Sequence, residues 1–225
     1  GTSALVDCPD HNAGGHGAVL EAFLSGQTPG IEGHDTVGWP SFKYWPKYNS
    51  LTHEGTYYAW IERAWRSGLR MYTNLLVDNG ALCEIYPLKR RSCNEMDTVR
   101  VENLRLNQMI RYIDAENGGP GKGWLQVALD PFQGRAISNA GKLAVIKGIE
   151  VSVPFDCGEY LNVPRCTASQ IDKGLDEVYA MGVRQMEITN KFDNALTGVT
   201  GDGGTTGVLV QAGNHLETGH FWQMD

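Results

Sequence analysis

The chain has 225 residues, with 26 acidic and 19 basic residues that give a formal net charge of −7. Its sequence contains no basic stripe interleaved with aromatic residues, which argues against a nucleic-acid partner. Its apolar runs fall short of the roughly 18–20 residues of a membrane-spanning helix. The length suits one domain with a sizeable core, so we expect a single domain over 1–225 with an irregular segment at 1–49.

From residue 50 onward, the sequence predicts helices alternating with strands. Apolar residues recur at helical spacing in each predicted helix, Pro131 suits a first helical turn, and Thr167 and Gln170 form a capping-box pattern. The predicted helices cover 50–67, 96–116, 131–140 and 167–181, and the predicted strands cover 69–77, 124–129, 143–150 and 183–189. Short links between these units predict a parallel sheet with right-handed crossovers and the strands adjacent in that order.

This alternation, without a nucleotide-binding glycine motif, favours a parallel (β/α) barrel of the TIM type. A complete barrel typically needs about 250 residues, whereas only four or five strands can be counted here. We therefore expect the chain to contain part of a barrel. A second chain or a further segment would supply the remaining strands.

Glu150 is the most informative acidic residue. It ends a run of small and β-branched residues that is typical of a strand buried on both faces. Barrel enzymes place their chemistry where parallel strands emerge from the core, which makes Glu150 a candidate catalytic residue. The alternative is an acid at the start of a loop that faces water.

The five cysteines indicate an oxidising compartment. Cys83 and Cys93 flank one polar loop between a strand and a helix, and Cys157 and Cys166 flank another. We expect each pair to form a disulfide, in a secreted or periplasmic protein. Cys8 is left over, either free or paired with a cysteine outside this sequence.

Among the histidines, His11 and His16 lie five residues apart in a glycine-rich segment and could reach a common metal ion. Solvated loop histidines are the alternative. The His-x-His or His-x-Asp pair typical of the first strand of barrel metallohydrolases does not occur in this sequence. The sequence alone assigns no role to His220.

Two segments, 141–150 and 175–186, resemble the central part of the membrane dipeptidase (renal dipeptidase-like) family. Those proteins are zinc-dependent barrel hydrolases of the amidohydrolase type. The stretch from Trp39 to Asn194 also resembles a bacterial secreted branch of metallohydrolases. The resemblance implies that Glu150 occupies the place of a glutamate that bridges two metal ions. Asn190 stands where the family has a histidine ligand.

These observations predict a secreted hydrolase that uses zinc or another divalent metal and acts on amide or ester bonds of a small-molecule substrate. A metal-free, barrel-derived module that pairs with a second chain is the main alternative. A glycosidase that uses Glu150 and Glu187 is a weaker one. The candidate residues are Glu150 and Asp193 for catalysis, Glu150, His11 and His16 for metal binding, and Asn79, Asn190 and Lys191 for substrate binding.

Overall fold

The computed structural model describes residues 58–85 and 91–222, and the chain divides into two compact units, Gly1–Leu69 and Arg70–Asp225. In the first unit the described element is helix α1 (Tyr58–Arg66), which falls within the predicted helix. The predictions for 1–49, which include Cys8, His11 and His16, lie outside the described residues.

The second unit combines a parallel sheet, a short hairpin and helices. The strands are β1 (Met71–Asp78), β2 (Leu125–Val127), β3 (Leu143–Val151), β4 (Glu159–Tyr160), β5 (Val163–Pro164) and β6 (Val183–Glu187). The helices are α2 (Gly80–Ile85), α3 (Glu95–Glu116), α4 (Pro131–Asn139), α5 (Ala168–Ala180) and α6 (Gly204–Thr218). A 3₁₀ turn at Pro154–Asp156 follows β3.

Strand β3 is the centre of the sheet, and all of its pairings are parallel. Along one edge it pairs with β1, from Ala144 to Val151. Strands β2 and β6 share the other edge, with β2 beside Leu143–Val145 and β6 beside Lys147–Glu150. The predicted strand order is therefore wrong, because β1 neighbours β3 and not β2. The three-residue β2 is too short to separate the two long strands.

The predicted TIM barrel is also wrong, because the described strands form a small open sheet. Closure would require every strand to pair on both edges around a ring. In the described part of the chain, β1 and β6 each pair with β3 alone. The second chain that was expected to complete the barrel stays a prediction.

The main core lies between the sheet and helices α3 and α5. It includes Leu76 of β1, Val99 of α3, Ile149 of β3 and Val178 of α5, all of which are buried. At the start of three helices a side chain accepts a backbone N–H group and so caps the helix. Asn94 caps α3, Asp130 caps α4, and Thr167 caps α5 in the predicted capping box. These helices lie within two residues of their predicted bounds.

A buried glutamate joins the loops at the carboxyl ends of β1 and β3. The Glu95 carboxylate accepts the backbone N–H groups of Gly80, at 2.8 Å, and Val153, at 2.5 Å. Only 4% of Glu95 is exposed, and burial, only partly offset by these two hydrogen bonds, raises its pKa to about 7. Glu95 thus links the segment that follows β1 to the segment that follows β3.

Two disulfides, Cys83–Cys93 and Cys157–Cys166, are formed, as predicted. The second closes the base of the β4–β5 hairpin. Such bonds are compatible with a protein that works outside the cytosol. Over residues 58–85 and 91–222, no helix has both the length and the apolar character needed to cross a membrane.

Candidate metal site

Three side chains of the types that ligate metals come together in the second unit. Glu159 lies on β4, Asp193 lies in the loop after β6, and His220 follows α6. One potential ligand atom from each lies within 4.8 Å of the others. We call these residues the acid–histidine cluster.

The β4–β5 hairpin presents Glu159. Its two turn residues, Leu161 and Asn162, have φ values of 51° and 62°. Positive φ at both central residues is the requirement of the type I′ turn that suits two-residue hairpins. The backbone N–H of Leu161 donates to the Thr218 carbonyl at 2.7 Å, and this hydrogen bond attaches the hairpin to the C-terminal end of α6.

The loop after β6 holds Asp193 in a buried position. Its Oδ1 accepts the Val199 N–H at 2.7 Å, and its Oδ2 accepts the Asn214 side-chain amide at 3.1 Å. The preceding Phe192 packs against Gly213 of α6, where a Cβ would lie 2.6 Å from the ring. Because each carboxylate oxygen has two lone pairs, Asp193 keeps acceptor capacity after these bonds.

His220 completes the cluster. Its Nε2 lies 2.8 Å from Oε1 of Glu159, and its Nδ1 lies 3.3 Å from the Phe221 carbonyl oxygen. The Glu159 hydrogen bond raises the pKa of His220, against the opposing effect of burial. Both ring nitrogens of His220 therefore face an oxygen atom, Nε2 that of Glu159 and Nδ1 that of Phe221.

The cluster forms part of the wall of a cavity of about 620 Å³, within the range of small-molecule sites. Further lining residues include Asn162, Thr197, Thr200 and Trp222. No lysine or arginine lines this cavity, so among the described residues its charged groups are the cluster itself. This lining suits an uncharged polar ligand better than a phosphate or another anion.

The donor set fits a divalent transition metal. Zinc accepts both imidazole nitrogen and carboxylate oxygen, and catalytic zinc sites have three protein ligands with a further position open. A histidine that ligates zinc usually donates its other ring N–H to a carbonyl or carboxylate. The Phe221 carbonyl stands in that position at Nδ1 of His220.

The predicted candidate Glu150 lies elsewhere, at the carboxyl end of β3. It is half-buried and in register with Val77 of β1 and Glu187 of β6. Burial and then the charge of Glu187 raise its pKa, while Lys191 lowers it. In the described part of the chain, the one grouping of three metal-ligating side chains does not include Glu150.

The predicted substrate-binding residues also lie outside the cavity lining. Asn79 donates to the Ser152 hydroxyl at 3.4 Å, and this hydroxyl donates to the Asn190 carbonyl. Lys191 pairs with Asp202 at 3.3 Å on an exposed surface. Of the predicted site residues that the structure describes, only Asp193 belongs to the cluster.

Sequence reasoning missed Glu159 and His220. They are separated from Asp193 by tens of residues and belong to no short motif. The available signal for Glu159 was the Cys157–Cys166 pair, which encloses it in a loop closed by a disulfide.

No protein-family model, curated protein or solved structure matches this chain. The resemblance to membrane dipeptidases therefore stays a prediction.

Proposed function

We propose that this protein is an extracytoplasmic, metal-dependent hydrolase that acts on an amide or ester bond of a small, uncharged substrate. One observation carries the proposal: Glu159, Asp193 and His220 place ligand atoms within 4.8 Å of one another in the wall of a cavity. The two disulfides support the compartment.

Each member of the cluster has a distinct task in this proposal. Asp193, already held by two N–H donors, and Glu159, on its hairpin, would supply carboxylate oxygens, and His220 would supply Nε2. A bound zinc ion contributes Lewis-acid chemistry, which polarises a carbonyl and makes water nucleophilic near neutral pH. The uncharged part of the cavity lining would orient the substrate and exclude bulk water.

A second candidate function is a metal-free binding module for a small polar ligand. The 2.8 Å contact between Glu159 and His220 favours it, because these two groups satisfy each other without a metal ion. The two candidates differ in whether the protein binds zinc and whether it hydrolyses a substrate.

Equilibrium dialysis against Zn²⁺, followed by assay of the loaded protein on p-nitrophenyl acetate, tests the proposal. Two half-buried glutamates offer a matched pair of variants, Glu159→Gln in the cluster and Glu150→Gln at the sheet end. We expect the wild type and Glu150→Gln to bind zinc and hydrolyse the ester, and Glu159→Gln to lose both properties. A wild type that binds no zinc would favour the metal-free module.

A further inference from the structure

We propose that Asn214 is a positioning residue that holds Asp193 and His220 in the arrangement a metal ion requires. The inference rests on the proposed metal binding and names a residue that touches neither metal nor substrate. Asn214 lies on α6 and is fully buried. Its amide contacts two of the three segments that carry the cluster.

The contacts of Asn214 with Asp193 are reciprocal. The Asn214 Oδ1 accepts the backbone N–H of Asp193 at 2.8 Å, and its Nδ2 donates to the Asp193 carboxylate at 3.1 Å. One rigid amide therefore fixes both the backbone and the side-chain rotation of Asp193. The Val199 N–H on the other carboxylate oxygen completes this restraint.

The same amide reaches the segment that carries His220. Its Nδ2 also lies 3.3 Å from the His220 carbonyl oxygen and 3.4 Å from the Thr218 hydroxyl oxygen. The Thr218 hydroxyl in turn donates to the backbone carbonyl of Asn214 at 2.7 Å. The loop after β6 and the segment after α6 are thus tied to one side chain.

This arrangement matters for metal binding because an unrestrained carboxylate must lose rotational freedom when it ligates an ion. Residues that orient metal ligands in this way typically change metal affinity by about 10- to 100-fold when they are replaced. A residue that only stabilises the fold changes the folded fraction and leaves the affinity of the folded protein unchanged.

The test compares Asn214→Ala with Thr218→Val in the full chain. Thr218 is equally buried and contacts Asn214 and the His220 carbonyl, but its side chain makes no hydrogen bond to Asp193. Zn²⁺ affinity is measured by competition with a chromophoric chelator, and the visible spectrum of bound Co²⁺ reports the ligand geometry. We expect Asn214→Ala to bind Zn²⁺ about 10- to 100-fold more weakly, with a changed Co²⁺ band at saturation. Thr218→Val should keep the wild-type band.

Unchanged Zn²⁺ affinity and an unchanged Co²⁺ band in a folded Asn214→Ala protein would overturn the inference and leave the proposed function standing. Absence of Zn²⁺ binding by the wild type would overturn both. Asn214→Ser, which keeps a small polar group, replaces the alanine variant if that variant does not fold. Failure of both to fold would assign Asn214 a purely structural role and overturn the inference.

Discussion

Replacing Glu95 by glutamine should change the pH dependence of stability. The pKa of Glu95, which is 4.5 for an ordinary glutamate, is raised to about 7 in the folded protein, mainly by burial. A raised folded-state pKa means that Glu95 adds stability below about pH 4.5. That stability is lost as the pH rises through about 7. The difference between these pKa values corresponds to about 3 kcal/mol at 1.36 kcal/mol per pH unit.

In Glu95→Gln this ionisation is absent. The variant also loses one of two acceptors, because its amide nitrogen would face either the Gly80 or the Val153 N–H. We therefore expect a variant that is less stable than the wild type at about pH 4.5. Its deficit should shrink by about 2–3 kcal/mol towards pH 8.

Urea denaturation followed by tryptophan fluorescence, at constant ionic strength and with the disulfides intact, gives both stability curves. Glu116→Gln, an exposed acid at the end of the same helix, controls for the loss of one negative charge. Stability curves of the wild type and Glu95→Gln that run parallel from about pH 4.5 to about pH 8 would show that folding does not raise the pKa of Glu95.

Three further predictions concern stability and covalent structure. Thiol labelling of the denatured, unreduced protein should modify at most Cys8, and modification of the four disulfide cysteines would remove the argument for an oxidising compartment. Thr167→Ala should lower the free energy of unfolding by about 1 kcal/mol by removing the α5 cap, and Thr167→Ser should restore most of it in the same urea titration. Gly174→Ala should cost about 1–3 kcal/mol, because the new methyl group would overlap the Phe155 ring, and an unchanged urea midpoint would contradict that packing.

The bounds of three helices could be predicted from the sequence because the features that start, stop and pattern a helix are local. The Thr167–Gln170 capping box, Pro131 and helical spacing place α3, α4 and α5 within two residues of their observed bounds. Helix α6 was missed because its sequence begins with glycine and β-branched threonine, which have low helix propensity. Its packing against Phe192 is a tertiary contact that propensity cannot show.

The strand order and the site depended on long-range contacts. Strand β1 pairs with β3 along its whole length, a long-range contact that the order of elements along the chain does not show. Asp193 was predicted as a site residue, but its partners Glu159 and His220 meet it only through the hairpin and the end of α6. Glu150, the strongest local signal, lies at the sheet end outside this cluster.

Anomalous X-ray diffraction at the zinc absorption edge, from crystals of the protein loaded with Zn²⁺, would locate the metal ion. We expect one strong peak, with Glu159 and Asp193 oxygens and His220 Nε2 each at about 2.0–2.2 Å from it. A peak beside Glu150 and Glu187, or no peak at the acid–histidine cluster in a zinc-loaded crystal, would contradict the proposed metal site.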